Sequence, residues 1–141
     1  MIPTKIRAVG EVALLCVALA GCADRPPKPP KMAEVFPNLP LPPDGILIGK
    51  SGGTDALQLT LRSRRPSAEI EAYYKRVLSE NGWRLVNQLK AQDGATVLLA
   101  EQNGPPLWVR IVAEDSTSTM VELAGARMER RDTTRLKKPT T

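Results

Sequence analysis

The chain has 141 residues, with 20 basic and 15 acidic side chains, 2 cysteines and no histidine. That length allows one domain with appendages. Without histidine the usual neutral-pH general base and the commonest metal ligand are gone, and two cysteines are too few for a four-ligand zinc site or a disulfide framework.

Residues 1–21 read as a signal peptide. Lys5 and Arg7 form a short positive segment, and an apolar run from Val12 to Ala20 follows Glu11. A membrane span needs about 20 apolar residues, so a run of this length fits a secretory signal rather than a transmembrane helix. Leu19-Ala20-Gly21-Cys22 resembles the lipobox of bacterial lipoproteins. The resemblance implies that the Cys22 thiol takes a diacylglyceryl group and that cleavage leaves Cys22 first. It also implies two or three acyl chains at that cysteine. One chain holds a protein to a membrane only marginally, and two hold it stably. Cys16 would leave with the signal, so no free thiol would remain, as suits an oxidising compartment. Ala23 in place of Asp after the cysteine implies the periplasmic face of the outer membrane if the source has two membranes. The alternative is an ordinary signal cut near Ala20.

Residues 22–44 form a Pro-rich linker. Pro26, Pro27, Pro29, Pro30, Pro37, Pro40, Pro42 and Pro43 fix φ and remove donors, which excludes helix and central strand. The expected conformation is extended, with a reach of up to roughly 70 Å at about 3.1 Å per residue. Pro27-Lys28-Pro29-Pro30 also suits docking into an aromatic groove. Val35, Phe36, Leu39 and Leu41 point to packing of the last part onto the domain.

Residues 45–125 carry the periodic patterns of a small α+β domain. Ile46-Leu47-Ile48 ends at Gly52-Gly53, and Leu57, Leu59 and Leu61 alternate with polar residues as in a half-buried strand. Ser67 is placed to cap a helix, with Glu69 and Glu71 in its first turn and Ile70, Tyr73, Tyr74, Val77 and Leu78 along one face. Asn81-Gly82 supplies a left-handed stop, and Trp83 is placed to pack back on the helix. Four strands follow: 84–90, a turn at Asp93-Gly94, 95–101, a loop at Asn103-Gly104-Pro105-Pro106, 107–113, and 120–124. The order ββαββββ predicts a single antiparallel sheet of about six strands backed by one helix. Tyr73 to Leu78 followed by Asn81-Gly82-Trp83, after Leu41-Pro42-Pro43-Asp44-Gly45, resembles small domains of bacterial lipoproteins of unknown function. That resemblance covers about 80 residues and implies no active site.

Residues 126–141 read as a basic, disordered tail. Arg127, Arg130, Arg131, Arg135, Lys137 and Lys138 outnumber Glu129 and Asp132. Such a tail suits solubility, or contact with anionic headgroups or cell-wall polymer, worth about 1 kcal/mol per basic residue at an anionic surface. Nothing in the chain supports nucleic-acid binding.

Candidate chemistry is sparse. Glu114-Asp115 sits at a turn and Glu69/Glu71 at a helix start, so neither pair suggests an acid–base couple across a cleft. Ser51-Gly52-Gly53-Thr54 lacks the Lys and spacing of a phosphate loop and reads as a hairpin. No Ser–Lys spacing stands out. The chain is therefore expected to be non-enzymatic, with no cofactor and no metal. Trp108 and Arg110 fall on the strand face away from the helix, and both types are enriched at binding hot spots. They are the candidate contacts for an envelope protein or cell-wall polymer, together with Arg130, Arg131, Lys137 and Lys138. A loop or the linker covering Trp108 is the alternative for that residue. The function expected is a lipid-anchored, non-catalytic envelope module; the alternative is a carrier of a small apolar or lipid ligand between helix and sheet, beneath Tyr73, Val77 and Leu78.

Overall fold

A computed structural model describes residues 28–127. Cys22, Arg130, Arg131, Lys137 and Lys138 lie outside the described residues, as do the signal segment and the tail beyond Arg127.

Six strands form one antiparallel sheet: β1 (Ile46–Gly52), β2 (Ala56–Ser63), β3 (Arg84–Lys90), β4 (Thr96–Glu101), β5 (Leu107–Ala113) and β6 (Thr119–Ala126). Their spatial order is β1-β2-β6-β5-β4-β3. Among the described residues two helices accompany them, α1 (Met32–Val35) and α2 (Ser67–Glu80). The ββαββββ order and the single helix-backed sheet stand as the alternation indicates.

The core lies between α2 and one sheet face. Leu59 stands opposite Leu123, Leu123 opposite Val109, and Val109 opposite Leu98, so one buried row crosses four strands. Ile70, Tyr74 and Leu78 are fully buried against this face, with Val77 nearly so. Each such side chain contributes about 1.5–3 kcal/mol by leaving water. The helix ends as a Schellman motif: Trp83 N donates to Leu78 O at 2.9 Å and Gly82 N to Ser79 O at 3.4 Å, with Gly82 at φ +78°.

The helix start differs from the expected Ser67 cap. Pro66 is the N-cap and Ser67 the first helical residue, with no side-chain cap. The Pro66 carbonyl accepts from Glu69 N and Ile70 N, and proline has no N–H to leave unpaired there.

The Pro-rich segment departs further from its expectation. Met32–Val35 forms one helical turn in the proline-free gap between Pro30 and Pro37, where the proline density was expected to exclude helix. From Val35 the chain runs as a strap beside α2, over the part of the same sheet face that the helix leaves open, rather than as an extended spacer. Val35, Phe36 and Leu39 are buried, whereas Leu41 is exposed and only its carbonyl is engaged, accepting from Tyr73 OH at 2.7 Å. Val35 and Phe36 lie over Gly125, where a Cβ would stand 2.7 Å from the Phe36 ring. Burying three apolar side chains outweighs the extended preference of the prolines.

Candidate functional site

Among the described residues the other sheet face carries no helix and no strap. Two cross-strand rows define it: Leu89, Val97, Arg110, Glu122 and Thr60, and beside it Asn87, Leu99, Trp108, Ala124 and Gln58. Between them lies an open hollow of about 340 Å³, lined by Gln58, Leu89, Val97, Trp108, Arg110, Glu122 and Ala124. Its floor is made by the strand alternation: Ala124 is small, and its neighbour Trp108 is large and 44% exposed. A hollow of this size with mostly apolar walls and a few polar groups is the usual form of a small-ligand site.

Trp108 therefore lies uncovered among the described residues, on the face expected of it. Arg110 lies beside it but is already engaged. Its Nη1 donates to Glu122 Oε2 at 2.9 Å and its Nη2 to Asp93 Oδ2, and both carboxylates raise its pKa. Arg110 thus works as a rigid, charge-neutralised wall. Asp93 is held low, first by the Ala95 amide and then by Arg110, so its own charge persists across the neutral range.

Several other carboxylates are held in ion pairs or turns. Glu114 pairs with Arg62 at 2.7 Å, and Glu69 with Arg65 at 3.3 Å. Glu71 accepts from Lys75 at 2.8 Å and from Thr96 Oγ1 at 2.9 Å, with Lys90 at 3.5 Å; these partners pull its pKa to about 2. Asp115 accepts from Ser118 and Thr117, which hold it near 2 as well. Neither acidic pair faces a cleft as an acid–base couple. Among the described residues no group of three or more Asp, Glu or Cys is placed to hold a metal ion, and no helix is long and apolar enough to cross a membrane.

The helix side of the sheet holds the buried core. Tyr74 is fully buried, burial pushes its phenol pKa up, and its hydroxyl has no partner among the described residues. A second concavity, about 460 Å³, sits after the helix stop, lined by Gly82, Arg84, Glu101, Gln102, Asn103 and Gly104. Arg84 and Glu101 neutralise each other there at 2.8 Å.

Sequence reasoning placed Trp108 and Arg110 together but missed Leu89, Val97, Ala124 and Gln58. The first two had a signal: Val97-Leu98-Leu99 is apolar on successive residues, which marks a strand apolar on both faces. Gln58 had none, since only long-range pairing brings it opposite Ala124.

A family model described as START domain-like matches residues 44–119, just over half of the chain. No curated protein and no solved structure matches it.

Proposed function

The chain belongs to the START domain-like family, and from that premise we propose that it is a non-catalytic binding module that takes an apolar group into the hollow beside Trp108. The observation that carries this reading is the 340 Å³ apolar concavity on the face left free by helix and strap. Domains of START type often bind hydrophobic ligands, which agrees with a binding role in general terms. The Arg110–Glu122–Asp93 cluster gives the hollow a fixed polar rim, and Gln58 offers an amide to a ligand's polar end. The lipobox-like Leu19-Ala20-Gly21-Cys22 supports an acyl anchor at Cys22, which would hold the module at an envelope membrane. The basic residues Arg130, Arg131, Lys137 and Lys138 would add contact with anionic headgroups or wall polymer.

The test is a titration of the chain with N-phenyl-1-naphthylamine, an apolar fluorophore. Wild type is expected to enhance its emission saturably, with affinity lowered about tenfold or more in Trp108→Ala, since hot-spot aromatics cost at least about 1.4 kcal/mol when truncated. Equal affinity in wild type and Trp108→Ala overturns the site. A second reading places the ligand between α2 and the sheet; the unpartnered Tyr74 hydroxyl favours it, as a donor waiting for an acceptor. Under that reading Tyr74→Phe, not Trp108→Ala, changes the affinity.

A further inference from the structure

Strand β1 forms one edge of the sheet, since it pairs only with β2. Its first three residues, Ile46, Leu47 and Ile48, are each about half exposed, and Leu41 stands just before the turn that leads into them. Leu47 lies opposite Leu61 and Ile46 opposite Arg62, so this end of the strand shows apolar side chains on both faces. An exposed apolar edge is a feature that folded proteins ordinarily blunt or cover.

The free positive charge lies on the same side. Most basic side chains of the described residues stand in ion pairs, from Arg62–Glu114 to Arg84–Glu101. Lys28, Lys31, Lys50 and Arg64 are exposed and pair with no carboxylate among the described residues. Arg76 shares that state, but Glu80 one turn along α2 offsets it. Lys50 is on β1, Arg64 follows the end of β2 beside Ile46, and Lys28 and Lys31 lead into α1, which packs on β2. The acids of that side, Glu34, Asp44 and Asp55, are engaged by Arg65 and Arg127, which leaves it net positive. The opposite edge, β3, also exposes Leu85, Val86 and Leu89, but its cations Arg84 and Lys90 are bound to Glu101 and Glu71.

We propose that the β1 edge is a membrane-docking surface, with Leu41, Ile46, Leu47 and Ile48 in the interfacial zone of an anionic bilayer and Lys50 and Arg64 against its phosphates. Apolar side chains rimmed by cations are what such a surface takes, through buried area and charge attraction together. The length of chain before the described residues points to the same side, an argument that rests on the envelope anchor proposed above. Cys22 stands six residues before Lys28, so an acyl group there lies within about 20 Å of it. Pro30 is already buried, so a body tethered that closely meets the bilayer on the side where the chain enters it. Docked in this way the sheet stands on edge, and the β2 side of the hollow, at Gln58, is nearest the lipid.

The test reads the edge itself. The full chain with Cys16→Ala and Cys22→Ala serves as parent, and Ile48→Cys or Leu89→Cys, both at exposed positions, carries an environment-sensitive nitrobenzoxadiazole label. With phosphatidylglycerol vesicles the Ile48 label is expected to shift to the blue saturably while the Leu89 label stays unchanged. The lipid concentration for half the shift should rise about tenfold or more in Lys50→Gln/Arg64→Gln, and likewise with phosphatidylcholine vesicles. Flotation shows whether the chain is bound. A chain that floats with the vesicles while its Ile48 label stays unshifted overturns the proposal, as does a chain that does not float, or equal shifts at both labels. An Ile48 shift that the neutralised variant retains at the same lipid concentration overturns it too. So does a shift that grows with protein concentration before lipid is added, because the edge then pairs with another copy. The parent lacks Cys22 and the naphthylamine titration contains no lipid, so failure here leaves the anchor and the hollow to stand or fall by their own results.

Discussion

Tyr74 brings a hydroxyl into the helix–sheet core, where it has no partner among the described residues. A buried unpaired polar group costs about 1–3 kcal/mol. Tyr74→Phe removes the cost and keeps the ring, so the expected outcome is unchanged or higher stability, by up to about 1 kcal/mol, read as a rise in the thermal midpoint. A clear loss of stability would mean that the hydroxyl has an acceptor after all. Glu71 behaves in the opposite sense. Its pKa is drawn down to about 2, first by Lys75 and then by Thr96 and Lys90. A depressed carboxylate contributes stability that is complete above about pH 4.5 and is lost as pH falls toward 2. The group is partly solvated, so screening reduces the contribution to about 1 kcal/mol. Urea midpoints measured from pH 6 to pH 2.5 should fall more steeply in wild type than in Glu71→Gln; parallel curves would contradict this assignment.

At the level of elements, the strap and the helix stop are the points where single residues matter most. Phe36 is 1% exposed and lies over Gly125. Phe36→Ala should lower unfolding free energy by about 3–5 kcal/mol, as truncation of a buried aromatic does. Chemical denaturation gives that number, and a change below about 1 kcal/mol would mean that the strap is not part of the core. Gly82, at φ +78°, closes the α2 stop. Gly82→Ala should cost about 1 kcal/mol through the left-handed backbone alone, and more if the added methyl cannot displace the Gln102 amide 2.9 Å away. By contrast, the ion pairs Arg84–Glu101 and Arg65–Asp44 are exposed and screened by water, so they contribute little. The elements differ in kind: apolar burial fixes the strap, backbone geometry fixes the helix stop, and charge fixes neither.

For the whole molecule, the alternation of Leu57, Leu59 and Leu61 and of Leu107, Val109 and Ile111 was enough to place two central strands and their buried face. Asn81-Gly82-Trp83 was enough to end the helix. Strand order was not legible, because β6 enters between β2 and β5 through pairings such as Leu59 with Leu123, set by long-range packing and not by local pattern. Half of the hollow shared that fate: Trp108 declared itself by its parity, whereas Gln58 and Ala124 reach it only through register. The proline count of the strap was misleading because proline restricts its own φ and its predecessor, and the six residues from 31 to 36 escape both limits until the last.

The two tryptophans stand on opposite sides of the sheet, Trp108 at the hollow and Trp83 in the helix-side core. A ¹H–¹⁵N spectrum of the chain titrated with a short-chain fatty acid reads both indole N–H groups at once. The account expects the Trp108 indole and the amides of Leu89, Val97 and Ala124 to move saturably while the Trp83 indole stays in place. Movement of Trp83 and the α2 amides with a silent Trp108 would contradict it.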